Sequence, residues 1–208
     1  MFVEELIRAG YLKSKHIIEA FKKIKREDFV LPDDRNKAYI NAPLSIGCGQ
    51  TISQPLTVAF MLELLNPQKG NKILDAGSGS GWTTALLAEI VGEEGKVYAL
   101  EIIKELKEFG EKNVAKYNFV KKKRAKFFCE DAHNGLPEFA PFDRILVSAA
   151  ATSIPDKLLQ QLRVGGKMVI PIGEQYHTQD IVLLEKKERD KFKIQSFSGF
   201  VFVPLVKK

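Results

Sequence analysis

The densest chemical signal in the chain is Asp75-Ala76-Gly77-Ser78-Gly79-Ser80-Gly81, a glycine-rich turn between an apolar run and a helical one. Glycines there let a ligand approach backbone N–H groups at a helix N-terminus, although such a turn alone is equally a packing device. Glu101 sharpens the reading. It lies twenty residues after Gly81, at the end of the next apolar run, where a carboxylate accepts from both hydroxyls of a ribose. Trp82-Thr83 follows the last glycine in place of the Lys-Ser/Thr of a phosphate-cradling loop, so an adenosine ligand without phosphates fits better. Asp131, after a third apolar run, either accepts from the exocyclic amine of an adenine or caps a short helix. Ser53, ahead of Pro55 and a helical run, reads by position as a helix N-cap.

Other chemistries find little support. His16, His133 and His177 are scattered, and Cys48 and Cys129 stand in unrelated contexts without CxxC or Cys/His spacing. Neither a metal site nor a disulfide framework is expected, and Cys48 has no neighbouring activator to make it a nucleophile. The run Lys121-Lys122-Lys123-Arg124 reads as a solvated loop rather than a nucleic-acid contact, and the net charge of +6 carries little weight. Glu4, Glu5 and Arg8 break up any signal-peptide core, and no apolar run reaches membrane-spanning length, so a cytoplasmic protein with no membrane association is expected.

These residues need a frame. With 208 residues, 45% hydrophobic and 28% charged, the chain has the composition of an ordinary globular protein, which excludes collagen-like and disordered chains. Residues 1–30 read as two amphipathic helices, the second with Ser14 as a candidate cap, and residues 31–55 as an extended loop without a regular element. Helices are expected after Pro55, over 83–91, 103–117 and 155–162, and strands over 72–75, 97–101, 125–129, 144–148 and 167–172, with Val164-Gly165-Gly166 as a turn. That alternation predicts an α/β fold: a doubly wound, mostly parallel sheet with helices on both faces. Two further strands, over 180–186 and 193–203, add an antiparallel finish.

The glycine turn, Glu101 and Asp131 together resemble the class I S-adenosylmethionine-dependent methyltransferases. Within that class, the segment Ala38-Tyr39-Ile40-Asn41-Ala42-Pro43-Leu44-Ser45-Ile46-Gly47-Cys48-Gly49-Gln50-Thr51-Ile52-Ser53-Gln54-Pro55 is similar to the hallmark loop of the protein-L-isoaspartate O-methyltransferases. Segments around Leu136 to Asp143, Ala149 to Ala151, Gln161 to Lys167 and Phe202 to Leu205 look like the same family, so the resemblance spans nearly the whole chain. Two positions depart from the family pattern: Asn41 stands where an acidic residue is usual, and Glu130-Asp131-Ala132 where Gly-Asp-Gly is usual. The amide of Asn41 cannot carry a carboxylate's charge.

What the resemblance implies is a Rossmann-like methyltransferase core over 56–208, with the N-terminal helices and active-site loop over 1–55. It implies methyl transfer to the carboxylate of isoaspartyl residues in damaged proteins and peptides, with S-adenosyl-L-methionine as cofactor, S-adenosyl-L-homocysteine as product, no metal, and a monomer. It marks Ser53 as the catalytic hydroxyl. For the cofactor it marks Thr51, Ile52, Ser53, Asp75, Gly77, Ser78, Gly79, Gly81, Glu101, Ile102, Asp131 and Ala132; for the substrate, Asn41, Pro43, Gln50, Thr51 and Val203. The alternatives are a methyltransferase for a small molecule or nucleic acid, or a catalytically impaired cofactor-binding adaptor. Against the commonest nucleic-acid enzymes, the chain has Val147-Ser148-Ala149-Ala150-Ala151 where Asn/Asp-Pro-Pro-Tyr/Phe would stand, and no Pro-Cys nucleophile.

Overall fold

A computed structural model describes residues 2–175 and 177–207. Its centre is a seven-stranded sheet in the order β5-β4-β3-β6-β7-β8-β9. The strands are β3 (Lys72–Ala76), β4 (Lys96–Leu100), β5 (Ala125–Phe128), β6 (Phe142–Val147), β7 (Leu162–Ile172), β8 (Gln179–Glu188) and β9 (Lys191–Phe200). The first five are parallel, while β8 runs against β7 and β9 against β8, as expected. Strands covered on both faces read as continuous apolar runs. In β3, Ile73 packs into the layer on one face and Leu74 into the layer on the other, both fully buried.

The helices are α1 (Phe2–Arg8), α2 (Lys15–Lys23), α3 (Pro55–Leu65), α4 (Trp82–Val91), α5 (Lys104–Ala115) and α6 (Asp156–Gln161). Residues of α3, α4 and α5 fill one face, with Ile17, Ala20 and Phe21 of α2 in the same apolar cluster. The other face is covered by α6 and the 3₁₀ turns Ala132–Asn134 and Pro137–Phe139. From β3 the chain steps outward through β4 and β5, then returns to β6 on β3's other side. That reversal leaves a crevice beyond the carboxyl ends of β3 and β6, where doubly wound sheets bind ligands.

Four local expectations are corrected. Residues 31–55 hold a 3₁₀ turn over Pro32–Lys37 and a hairpin of β1 (Leu44–Gly47) and β2 (Gln50–Ile52). Gly47, Cys48 and Gly49 all adopt positive φ (89°, 52° and 70°), and buried Ile46 and Ile52 anchor the hairpin below. Ser14 stands at the N-cap of α2 without capping it; its hydroxyl donates to Glu63 Oε2 (2.7 Å), while Glu63 Oε1 accepts from the Lys13 and Ser14 amides. Residues 164–166 lie within β7 as an outward excursion: Phe142 faces Leu162 but Arg144 faces Lys167, and Gly165 takes φ 76°. Arg124 leaves the solvated run and is buried, its guanidinium over the Phe119 ring and donating to Ala88 O in the last turn of α4.

Candidate active site

The glycine turn joins β3 to α4, and its φ values (77° at Gly77, 49° at Gly79, 84° at Gly81) lie in the left-handed region that favours glycine. Most of its amides are engaged within the chain. Gly77 and Ser78 N–H both donate to Leu100 O (2.9 Å), and Gly79 N–H donates to Glu101 Oε2 (3.0 Å). The turn is therefore tied to the end of β4. Its last glycine makes a contact that sequence reading missed. A Cβ on Gly81 would sit 2.7 Å from Gly110 O, and one on Gly110 would sit 2.6 Å from Gly79 O, so α5 meets the turn backbone to backbone.

Glu101, only 7% exposed, is oriented from both oxygens: Oε2 accepts from Gly79 and Oε1 from the Ile103 amide (3.0 Å). A carboxylate has about four acceptor positions, so two remain for a diol in front of it. Asp75 lies beneath, fully buried, with Oδ2 accepting from the hydroxyls of Thr83 (2.9 Å) and Thr84 (2.5 Å) and Oδ1 without a partner among the described residues. Burial pushes its carboxyl up to about 6, with the Glu101 charge adding to the rise, while the Thr84 and Thr83 hydroxyls pull it down.

A raised carboxyl pKa has a definite sign. Between about pH 4 and about pH 6 native Asp75 keeps a proton that the unfolded chain has lost, so its contribution to stability falls as pH rises through that window and is level above it. The difference is on the order of 2–3 kcal/mol. Asp75→Asn does not titrate. Urea midpoints should show the wild type losing stability relative to this variant between about pH 4 and about pH 6, with the difference level above that. An unchanged difference would contradict the assignment.

Across the crevice from the turn stand the hairpin and the residues after it. The N-cap position of α3 belongs to Gln54, whose side chain makes no cap bond, and the Ser53 hydroxyl does not cap the helix. That work falls to Asn41, whose Oδ1 accepts from Leu56 N–H (3.0 Å), a bond an amide oxygen makes as a carboxylate would. On the remaining side the C-terminal strand end is laid beside the residues after β6, with Ala150 N–H donating to Val203 O (2.8 Å) and Leu205 N–H to Ala150 O (2.7 Å).

These pieces enclose one cleft of about 770 Å³ including its open mouth. Gln50, Thr51, Ile52, Ser53, Gly77, Ser78, Gly79, Glu101, Ile102, Ala132 and Val203 line it, so residues marked for cofactor and for substrate meet in one space. Asp75 and Gly81 lie behind the wall, and Asn41 and Pro43 lie outside it. Asp131 borders an adjoining groove with His133 and Asn134, and its carboxylate caps the 3₁₀ turn by accepting from the His133 amide (2.8 Å). The sequence reading did not assign Ile46, Val58, Ser80, Trp82, Thr83, Leu100, Ile103, Ser148, Ala149, Pro204, Leu205 or Val206 to the site, and these complete the lining. Ile46 and Ser80 lie inside the marked loop and glycine turn, and Ala149 and Pro204 inside segments similar to the family, so their neighbours rather than their own side chains were the signal.

The lining fits an adenosyl ligand on two counts. Ser78 Oγ and Trp82 Nε1 are buried polar atoms of lining residues without partners among the described residues, and such groups call for a hydrogen-bonding ligand or water. Gly79 also leaves room that a side chain would take, since its Cβ would come 3.2 Å from Ile46 Cδ1. A glycine turn after β3 of a doubly wound sheet, and a buried carboxylate at the end of β4, place the architecture in the class I S-adenosylmethionine-dependent methyltransferases.

Comparison with known proteins narrows the class. The family described as Protein-L-isoaspartate(D-aspartate) O-methyltransferase (PCMT) matches residues 1–208, and the chain belongs to that family. It is 44% identical over 204 residues to a protein-L-isoaspartate O-methyltransferase of Methanopyrus kandleri, covering 98% of this chain and 89% of that one. A Thermococcus onnurineus enzyme of the same name is 42% identical over 204 residues, covering 98% and 91%. Among solved structures, a candidate protein-L-isoaspartate O-methyltransferase from Plasmodium falciparum, in complex with S-adenosyl-L-homocysteine, superposes with TM-score 0.89 at 28% identity, covering 100% of this chain and 97% of that one.

Proposed function

We infer that the chain transfers a methyl group from S-adenosylmethionine to the free carboxylate of L-isoaspartyl residues in damaged proteins and peptides, with Ser53 as the hydroxyl that meets the substrate. The observation that carries this is the shared cleft: Ser53 and Thr51 of the loop face the same space as Gly77, Gly79 and Glu101. When bound, S-adenosylmethionine supplies an activated methyl: a carboxylate oxygen forms the new O–C bond as the C–S bond breaks, and its electron pair leaves with the sulfur.

The chain's own task is placement. An isoaspartyl carboxylate is ionised near neutral pH, so no base is required. Glu101 would accept from the ribose hydroxyls, and Ser78 Oγ and Trp82 Nε1 are the unpartnered groups available to the rest of the cofactor. The Ser53 hydroxyl, which has no partner among the described residues, would donate to the substrate carboxylate and align it with the methyl carbon, while Ile46, Ile52 and Val58 exclude water. Gln50, Thr51 and Val203 would line the peptide's path, and Asn41 would act through the helix it caps. The intact cap at Asn41 favours a working enzyme over an impaired adaptor.

We propose with this reading a cytoplasmic enzyme that acts as a monomer. Both cysteines are free, and no helix among the described residues is long and apolar enough to cross a membrane. Radiolabelled S-adenosylmethionine with matched peptides tests the substrate. The isoaspartyl peptide should yield a base-labile methyl ester and the aspartyl peptide none; no ester from either, or equal yields, would overturn the assignment.

A further inference from the structure

Arg26 lies in the run Lys25-Arg26-Glu27-Asp28, which by composition reads as solvated, yet it is 1% exposed. Among the described residues it forms no ion pair. A buried charge normally recruits a carboxylate, because desolvation is costly. Here burial draws the guanidinium down to about 10, and backbone carbonyls stabilise it instead.

Those carbonyls come from both arms of the active-site loop. Nη1 donates to Ala38 O (2.7 Å), with a longer contact to Ile40 O (3.4 Å); Nη2 donates to Ala42 O (3.0 Å) and to Ser53 O (3.0 Å). Residues 38–42 lead into the hairpin and Ser53 leads out of it, so one planar fork closes the base of the loop. Below, the guanidinium carbon stands 5.3 Å from the centre of the Trp82 ring, and Trp82 lines the cleft at the start of α4. The fork thus connects the peptide group of Ser53 to the element that carries the glycine turn.

We propose that Arg26 is a positioning residue for methyl transfer, holding the Ser53 backbone at a fixed height over the cleft by clamping both arms of the loop against Trp82. The inference rests on the reading of Ser53 as the substrate-side hydroxyl. An ammonium presents one nitrogen where the guanidinium presents two that reach opposite arms, so lysine keeps the charge and loses the bridge. Reactions that depend on placement lose about 100-fold for a displacement of about 1 Å.

Arg26→Lys and Arg26→Gln test this against the wild type, with kcat and KM for an isoaspartyl peptide and calorimetric Kd for S-adenosylhomocysteine. Both variants should lose about tenfold or more in kcat while the Kd stays within about threefold. Wild-type kcat in Arg26→Lys would overturn the proposal, as would parallel loss of cofactor binding in both variants, which would make Arg26 a support of the fold alone. Failure of the wild type itself to methylate the peptide would instead sink the substrate assignment.

Discussion

Glu101→Ala should weaken S-adenosylhomocysteine binding by about 1–3 kcal/mol, or roughly 5- to 150-fold in Kd, because hydrogen bonds to a charged acceptor in a largely buried site are lost. The substitution also strips the acceptor from Gly79 and Ile103 N–H, which frees the turn on which the ligand rests. Glu101→Gln separates the two effects, since its single amide oxygen preserves part of the backbone tie but not the charge. Calorimetry should rank the wild type tightest, the glutamine variant intermediate and the alanine variant weakest. A Kd for Glu101→Ala within twofold of wild type would remove Glu101 from the cofactor site.

Ser53→Ala should do the opposite. Turnover on an isoaspartyl peptide should fall by about 10- to 100-fold, the loss expected when one aligned hydrogen bond to a charged reactant disappears. Its backbone carbonyl, bound to Arg26, is untouched by the change. Cofactor affinity should therefore move by less than about threefold, and equal losses in Kd and kcat would contradict the division of labour between loop and turn.

The residues that sequence patterns located are those whose role is local. β3, the glycine turn and Glu101 follow one another along the chain, and the change from apolar run to glycines to helix marks each boundary. The hairpin was illegible because its Gly47-Cys48-Gly49 turn has positive φ at a cysteine as well as at two glycines, which composition alone does not announce. Ser14 looked like a cap because its neighbours are helical, yet Glu63, remote in sequence, supplies the acceptor.

Two supports of the site lie beyond any local pattern. Gly110 sits mid-helix, and only the approach of α5 to the turn explains why a side chain would not fit there. Arg26 stands among charged neighbours, and its burial is evident only once loop carbonyls from both directions converge on it. The resemblance in residues 38–55 marked the loop, while the structure shows which groups hold it. Asn41, a departure from the family pattern, keeps the helix-capping bond to Leu56 with its amide oxygen.

A crystal structure with S-adenosylhomocysteine bound is the most direct test of the shared cleft. The ribose hydroxyls should lie within hydrogen-bonding reach of the Glu101 carboxylate, about 3 Å, with the sulfur directed toward the Ser53 hydroxyl and the loop above it. An adenosyl group held away from Glu101, or a sulfur turned from Ser53 toward another wall of the cleft, would contradict the account.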